Sequence, residues 1–213
     1  MLPIGSALPA DFHSGFTMSS ENRSSLIEPR FLVLSGLILL AALVRTIDHG
    51  IPNFAPIGAI ALFAGACFGS RLLAFLVPCV ALLVSDLILN TSRYVDLAPT
   101  AWALVPFTAG AFVLTVVIGF GFRGRNRSVA GVFVGSLAAS CVFFVISNLG
   151  WWAVLQMSLF EIPAETMGTV FLKAIPFFHQ TMLSDLFFNT VLFGSLALAE
   201  SRFEVLRPAD EMR

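Results

Sequence analysis

The chain has 213 residues, of which 57% are hydrophobic and only 12% are charged. Soluble domains average about 45–50% apolar and about 25% charged residues, so this composition excludes an ordinary soluble domain. The formal net charge of −1 does not identify a partner, and we predict no nucleic-acid binding. Because the apolar runs are long and continuous, they predict an all-α membrane protein and not a β-barrel, whose strands alternate in polarity.

The start of the chain differs from the rest in composition. Residues 1–30 are polar and contain three prolines and a serine-rich patch. They lack the basic start and the apolar core of a secretory signal. We therefore predict a disordered N-terminal tail at residues 1–30, a six-helix transmembrane domain at residues 31–200, and a cytoplasmic C-terminal tail at residues 201–213.

Six apolar stretches follow the tail, and we predict that each crosses the membrane as a helix of one bundle. The second stretch has 14 residues, which reach only ~21 Å of a ~30 Å hydrocarbon core. It must therefore extend into flanking residues or be shielded by its neighbours. The polar sequence before the sixth stretch predicts a short interfacial helix. The predicted spans are residues 31–47, 56–70, 72–90, 100–122, 129–155 and 176–199.

Lysine and arginine are distributed unequally between the two ends of the predicted bundle. With six spans, nine arginines lie on one side, and two arginines and one lysine lie on the other. The positive-inside rule then places both termini in the cytoplasm, and we predict a multi-pass protein of the plasma membrane. The nine are Arg23, Arg30, Arg71, Arg123, Arg125, Arg127, Arg202, Arg207 and Arg213, and the three are Arg45, Arg93 and Lys173.

Two similar heptads, "VSDLILN" at 84–90 and "LSDLFFN" at 183–189, carry polar residues inside apolar stretches. An aspartate near the middle of a membrane helix costs roughly 2.5–3.5 kcal/mol, and ionisable residues there usually face a cavity or a partner. Each aspartate has an asparagine four residues later, on the same helical face. The heptads lie in the third span of each half, which suggests an inverted repeat.

Both heptads lie toward the predicted outer side, where other polar and aromatic residues also gather. The inner halves of the spans are almost wholly apolar by comparison. We predict an outward-facing substrate site formed by Asp86, Asn90, Asn148, Trp151, Trp152, His179, Asp185 and Asn189.

Several alternatives remain open for these residues. The aspartates can instead cap neighbouring helix ends or pair with Arg45, Arg93 or Lys173. The tryptophans can belong to an interfacial aromatic belt, and His179 can be an ordinary loop residue. Small residues at four-residue steps indicate close helix packing, either within the bundle or against a partner helix. These steps are Ala61, Gly65 and Gly69, and then Gly131, Gly135 and Ala139.

The sequence gives no indication of a cofactor, a metal or a catalytic motif. Cys67, Cys79 and Cys141 lie within predicted spans without metal-type spacing, and we interpret them as small apolar residues. "GFGFRG" at 119–124 ends a span and follows no strand, so its match to a dinucleotide fingerprint is fortuitous. A nucleotide-binding loop with the GxxxxGK[ST] pattern is absent, and we predict that the chain is not an enzyme.

Three blocks of the sequence resemble a family of uncharacterised bacterial membrane proteins assigned to transport. They are "PNFAPIGAIALFAGACFGSRLLAFLVPCVALLVSDLIL", "FFVISNLGWWA" and "KAIPFFHQTMLSDLFFNTVLFG". That family is similar to the substrate-binding S components of energy-coupling factor transporters. The resemblance implies a six-helix fold with a small-molecule pocket near the outer surface. It also implies that a transmembrane coupling subunit and two ATPases supply the energy.

These observations lead to one functional hypothesis and two alternatives. The hypothesis is a substrate-binding membrane subunit of an importer for a small vitamin-like nutrient or metal. The first alternative is a self-sufficient ion-coupled carrier, in which a buried aspartate carries a proton. The second is a membrane assembly protein that does not transport, in which the aspartates are structural and the small residues dock a partner.

Overall fold

The computed structural model describes residues 28–47, 50–51, 53–92, 98–124, 127–157 and 163–208, except the side chains of residues 90 and 98–101. These residues form six α-helices and no β-strand, which confirms the all-α prediction. The helices are α1 (Pro29–Val44), α2 (Ile57–Cys67), α3 (Arg71–Ser92), α4 (Ala98–Phe120), α5 (Val129–Gln156) and α6 (Met167–Arg202). A short 3₁₀ helix, Glu204–Leu206, follows α6.

Four helices, α3 to α6, are long and apolar enough to cross a membrane. These helices indicate a membrane protein. The two remaining helices are also apolar but shorter, with 16 residues in α1 and 11 in α2. The count of six spans and the cytoplasmic location of both termini stay predictions.

The helix boundaries differ from the predicted spans at both ends of the chain. Helix α1 already begins at Pro29, inside the predicted tail, whose residues 1–27 lie outside the described part. Helix α6 begins at Met167 and continues through Pro176 as one helix of 36 residues. The prediction of a separate interfacial helix is therefore wrong for the described residues from 167 onward. Membrane helices tolerate an internal proline because neighbouring groups satisfy the freed backbone carbonyl.

Helix α2 lies at the centre of the bundle and packs against each of the other five helices. Ten of its eleven residues are buried. This burial confirms the expectation that a helix of only ~16 Å is shielded by its neighbours. The apolar character of α2 on all sides fits this central position, since a helix that is hydrophobic all round is a buried one.

Glycines allow α2 and α4 to approach each other closely. A Cβ on Gly65 would collide with the backbone oxygen of Val116, and a Cβ on Gly119 would lie 2.6 Å from the backbone oxygen of Leu62. Gly135 of α5 also faces α2, since a Cβ there would meet the Leu62 side chain at 3.2 Å. The small residues Gly65 and Gly135 therefore serve packing within the bundle.

One end of the bundle, which we call the arginine end, holds a buried charge cluster around Glu200. Arg30 donates to Glu200 Oε1 at 2.7 Å. Arg127 donates to both carboxylate oxygens, at 3.1 and 2.7 Å. Arg207 donates to the backbone oxygen of Glu200 at 3.3 Å. A glutamate near the end of α6 thus gathers arginines from separate segments. These four residues lie just outside the predicted spans, so the cluster does not contradict the expectation that the inner halves of the spans are almost wholly apolar.

Arginines also hold the C-terminus of α2 at the arginine end. Arg123 donates to the backbone oxygens of Gly65 and Phe68, at 2.9 Å each, and its guanidinium group lies 4.4 Å from the centre of the Phe120 ring. Cationic groups at a helix C-terminus satisfy carbonyls that have no partner within the helix and interact favourably with the helix dipole.

Candidate functional site

A cavity of about 820 Å³ lies at the opposite end of the bundle from the Glu200 cluster. We call this end the cavity end. The cavity lies between the loop that joins α1 to α2, the N-terminus of α2, and helices α4, α5 and α6. Ligand cavities typically measure about 300–1,000 Å³ and combine apolar walls with a few polar groups. This cavity therefore has the size of a small-molecule site.

The floor of the cavity is formed by the N-terminus of α2 and Asp185 of α6. Asp185 is 1% exposed. Its carboxylate accepts hydrogen bonds from the backbone N–H of Ala59 at 3.0 Å and from the hydroxyl of Ser140 at 2.7 Å. Gly58 leaves room for the carboxylate, since a Cβ there would lie 2.6 Å from both oxygens. Asp185 thus caps α2 from another helix, where the N-terminus of a helix favours an anion.

The loop between α1 and α2 is held against α6 over the cavity. Ser184 donates to the backbone oxygen of Ala55 at 3.0 Å, and the Phe54 ring packs 5.6 Å from the Phe188 ring. Asn53 has a positive φ of 57°, a conformation that asparagine adopts more readily than most residues. The loop therefore contributes both a fixed backbone and side chains to the site.

Aromatic side chains from α5 and α6 form much of the cavity wall. The ring centres of Phe144 and Phe178 are 4.7 Å apart. Phe143, Phe177 and Trp151 also line the cavity. Such a wall offers a flat or apolar part of a ligand a large contact area.

Five uncharged polar side chains line the same cavity, Asn53 and Thr181 among them, and the other three donate hydrogen bonds to the backbone of their own helices. Thr108 of α4 donates to the backbone oxygen of Val105 at 3.1 Å, and Ser147 of α5 donates to that of Phe144 at 3.4 Å. The Asn148 amide also donates to Phe144, at 2.8 Å. Because each of these three groups is used as a donor to its own helix, its oxygen can still accept a hydrogen bond from a ligand.

Two cationic side chains complete the lining, and each is paired with a carboxylate. Arg45 donates to Ser85 at 2.9 Å and forms an ion pair with Asp86. The Lys173 ammonium lies 2.8 Å from a carboxylate oxygen of Glu165. The cavity therefore carries both charged and aromatic recognition groups.

The structure brings together three of the eight predicted site residues. Asn148, Trp151 and Asp185 line the cavity. Trp152 is half-buried and His179 is exposed, and neither is among the lining residues. Asp86 contributes only through its ion pair with Arg45, and the side chain of Asn90 lies outside the described residues.

Asn189, the last predicted site residue, lies one turn beyond Asp185 and away from the cavity. Its amide donates to the hydroxyl of Ser136 at 2.8 Å, and its buried carbonyl oxygen has no hydrogen-bond partner among the residues that the structure describes. The two heptads therefore do not form one site: Asp86 faces α1, whereas Asp185 faces α2 and α5. This arrangement matches the alternative in which the aspartates form an ion pair and a helix cap.

Sequence reasoning missed several lining residues. Thr108 and Ser147 carry hydroxyl groups that are common in membrane helices, and their neighbours give no signal that distinguishes them. Gly58 is also indistinguishable by sequence from the packing glycines. The sequence places Arg45 and Lys173 on the predicted outer side and offers them as partners of the aspartates, but nothing in it marks them as cavity residues.

Comparison with known proteins gives one match. The model of a family described as "Family of unknown function (DUF6580)" matches residues 25–206, which include all six helices. No curated protein matches the chain. No solved structure matches it either.

Proposed function

Since the chain belongs to the DUF6580 family, whose description assigns no function, we propose a function from its geometry: a substrate-binding integral membrane subunit of a small-molecule importer. The observation that carries this proposal is the cavity of about 820 Å³. Aromatic walls, five neutral polar groups and two cations converge there from the α1–α2 loop and from helices α4, α5 and α6. A purely structural bundle has no need for such a space, because protein interiors are otherwise close-packed.

In this proposal the chain crosses the plasma membrane six times, with α2 doing so together with its flanking residues, and both termini lie in the cytoplasm. The arginine end then faces inward, in agreement with the positive-inside rule, and the cavity opens outward toward the nutrient. Energy comes from other chains, namely a coupling subunit and ATPases of the energy-coupling factor type. The resemblance of the sequence to S components and its lack of a GxxxxGK[ST] loop support this division of labour.

The ligand in this proposal is a vitamin-like nutrient with a flat apolar part and hydrogen-bonding groups. Phe143, Phe144 and Trp151 would contact the flat part, and Thr108 and Asn148 would accept hydrogen bonds. A metal-containing nutrient remains within the proposed class. The described residues contain no group of three or more His, Cys, Asp or Glu side chains suited to hold a bare metal ion.

Filling the cavity tests the proposal directly. Ala174 of α6 lines the cavity, so Ala174→Trp should occupy the space of the ligand. We expect purified protein to be stabilised against heat by at least one member of a nutrient library, and Ala174→Trp to lose that shift. Leu172→Trp is the matched control, because Leu172 is 69% exposed on the same helix, and it should respond like the unmodified protein.

Two results would contradict this proposal. One is the absence of a thermal shift with any member of a library that covers vitamins, their precursors and metal complexes. The other is an equal shift in Ala174→Trp and Leu172→Trp, because binding would then occur elsewhere.

A second candidate function, a proton-coupled carrier, is favoured by the surroundings of Asp185. This carboxyl group lines the cavity and is buried, and both of its described hydrogen-bond donors, Ala59 and Ser140, are uncharged. Ionisable groups in such positions serve as proton relays in many transporters. A carrier would transport its substrate without ATPases.

The substitution Asp185→Asn separates the carrier from the importer subunit. An asparagine can accept the Ala59 N–H bond and donate to Ser140, so the fold should be retained. If the chain is a carrier, proteoliposomes with a proton gradient should take up substrate without ATP, and Asp185→Asn should abolish this uptake while ligand binding persists. Uptake that strictly requires ATP and a co-purified module would eliminate the carrier.

A further inference from the structure

A groove of about 350 Å³ runs between α5 and α6, separate from the cavity. Its walls are mostly apolar. They include Phe133 of α5 and Phe193 of α6, together with Gly194, where a Cβ would meet nothing within 4 Å. Of the polar groups deeper in the groove, the Asn189 amide donates to Ser136 and the Thr190 hydroxyl donates to the backbone oxygen of Leu186. The Asn189 carbonyl oxygen is the one buried side-chain polar atom there without a hydrogen-bond partner among the described residues. Most of the groove therefore offers a dry surface that suits a hydrocarbon chain.

The groove has a polar end, and that end lies in the Glu200 cluster. Arg127 and Ser128 line it, immediately before the first residue of α5. Arg127 is ion-paired with Glu200, but Arg30 and Arg207 also contact this glutamate. Two guanidinium groups, those of Arg30 and Arg127, thus share the carboxylate, while Arg207 donates to the backbone oxygen of Glu200. With three arginines around one glutamate, the cluster keeps a net positive charge.

The positive charge extends over the whole arginine end. The described arginines there outnumber the glutamates, and the N-terminus of α5 adds the positive end of its helix dipole beside the groove. The arginines are Arg30, Arg71, Arg123, Arg127, Arg202 and Arg207, and the glutamates are Glu28, Glu200 and Glu204.

We propose that this groove binds one anionic phospholipid, with the phosphate headgroup at Arg127 and Ser128 and one acyl chain between α5 and α6. The groove is complementary to such a lipid, because it is cationic at the N-terminus of α5 and mostly apolar along its length. Basic pockets between membrane helices are known to bind anionic headgroups. A zwitterionic lipid lacks the net charge that this end selects.

The test counts bound lipids by native mass spectrometry. Delipidated protein in detergent receives phosphatidylglycerol or phosphatidylcholine with identical acyl chains. We expect one retained phosphatidylglycerol per protein and about tenfold weaker retention of phosphatidylcholine. Gly194→Phe should fill the groove and remove the preference. Gly36→Phe is the matched control, because Gly36 is also helical with nothing within 4 Å of a Cβ, and it should bind like the unmodified protein.

Three outcomes would overturn the proposal. They are equal retention of both lipids, undiminished phosphatidylglycerol binding by Gly194→Phe, and a dimer that Gly194→Phe dissociates, which would assign the groove to a second copy of the chain. If Gly194→Phe does not fold, Ala197→Phe replaces it in the test, because Ala197 lines the same groove and is exposed. The same outcomes then support or overturn the proposal. The result does not depend on whether the cavity binds a nutrient.

Discussion

Replacing Glu200 by alanine should destabilise the protein by about 3 kcal/mol. The substitution leaves Arg30 and Arg127 without the carboxylate that they share, although their side chains are only 16% and 15% exposed. Removing one member of a largely buried ion pair costs roughly 3–5 kcal/mol, because the remaining charge stays desolvated and unpaired. The unfolding free energy in mixed detergent micelles measures this effect.

Glu204 provides the control for this experiment. It lies four residues further along the chain, and its side chain is exposed. Glu204→Ala changes the net charge by the same amount, and we expect it to alter the unfolding free energy by less than about 0.5 kcal/mol. Equal effects of the two substitutions would show that Glu200 acts only through the overall charge of the arginine end.

Gly65→Ala should lower the free energy of unfolding by a similar amount, about 3 kcal/mol. The new methyl group would collide with the backbone oxygen of Val116 and lie 2.9 Å from the Cα atom of Gly119. Both obstacles are backbone atoms and cannot rotate away, so α2 and α4 must move apart. Overpacking of a close contact costs typically 1–3 kcal/mol and sometimes more. The same unfolding measurement in micelles gives the value.

Gly110→Ala is the matched substitution on α4. A Cβ at Gly110 meets nothing within 4 Å, and alanine is the better helix former by about 1 kcal/mol. The Gly110→Ala variant should therefore be as stable as the unmodified protein or slightly more so. If Gly65→Ala were equally harmless, the close approach of α2 and α4 would not contribute to stability.

Helix length and polarity made much of the fold predictable. The all-α class follows from continuous apolar runs, and the shielding of α2 follows from a stretch too short to cross the bilayer. The N-terminal extension of α6 was not predictable in this way. The polar sequence before the sixth stretch predicted a separate interfacial helix, whereas from Met167 onward α6 continues through Lys173 and Pro176.

The candidate site was less accessible to sequence reasoning than the fold. The two heptads have nearly the same letters, but the partner of each aspartate depends on which helix lies opposite. Asp86 meets Arg45, the residue that follows α1, whereas Asp185 meets the N-terminus of α2 beside Gly58. Local sequence specifies which side chains are costly to bury, and only the tertiary arrangement determines how that cost is offset.

Glu200 illustrates the same limit at the arginine end. A glutamate near the end of an apolar helix can equally be a solvated helix terminus, and its partners Arg30 and Arg127 are 170 and 73 residues distant in sequence. No local pattern joins them. The arginines themselves were expected at this end of the bundle, but their use as ligands of one buried carboxylate emerges only from the packing of α1 and α5 against α6.

Native mass spectrometry of protein extracted gently from its own membrane tests the central claim most directly, namely that the cavity holds a small molecule. We expect the unmodified protein and Leu172→Trp to carry the same added small-molecule mass, apart from any bound phospholipid. Ala174→Trp, whose new side chain occupies the cavity, should lack it. A spectrum in which all three proteins carry the same small molecule, or in which the unmodified protein carries none under any growth condition, would contradict the assignment.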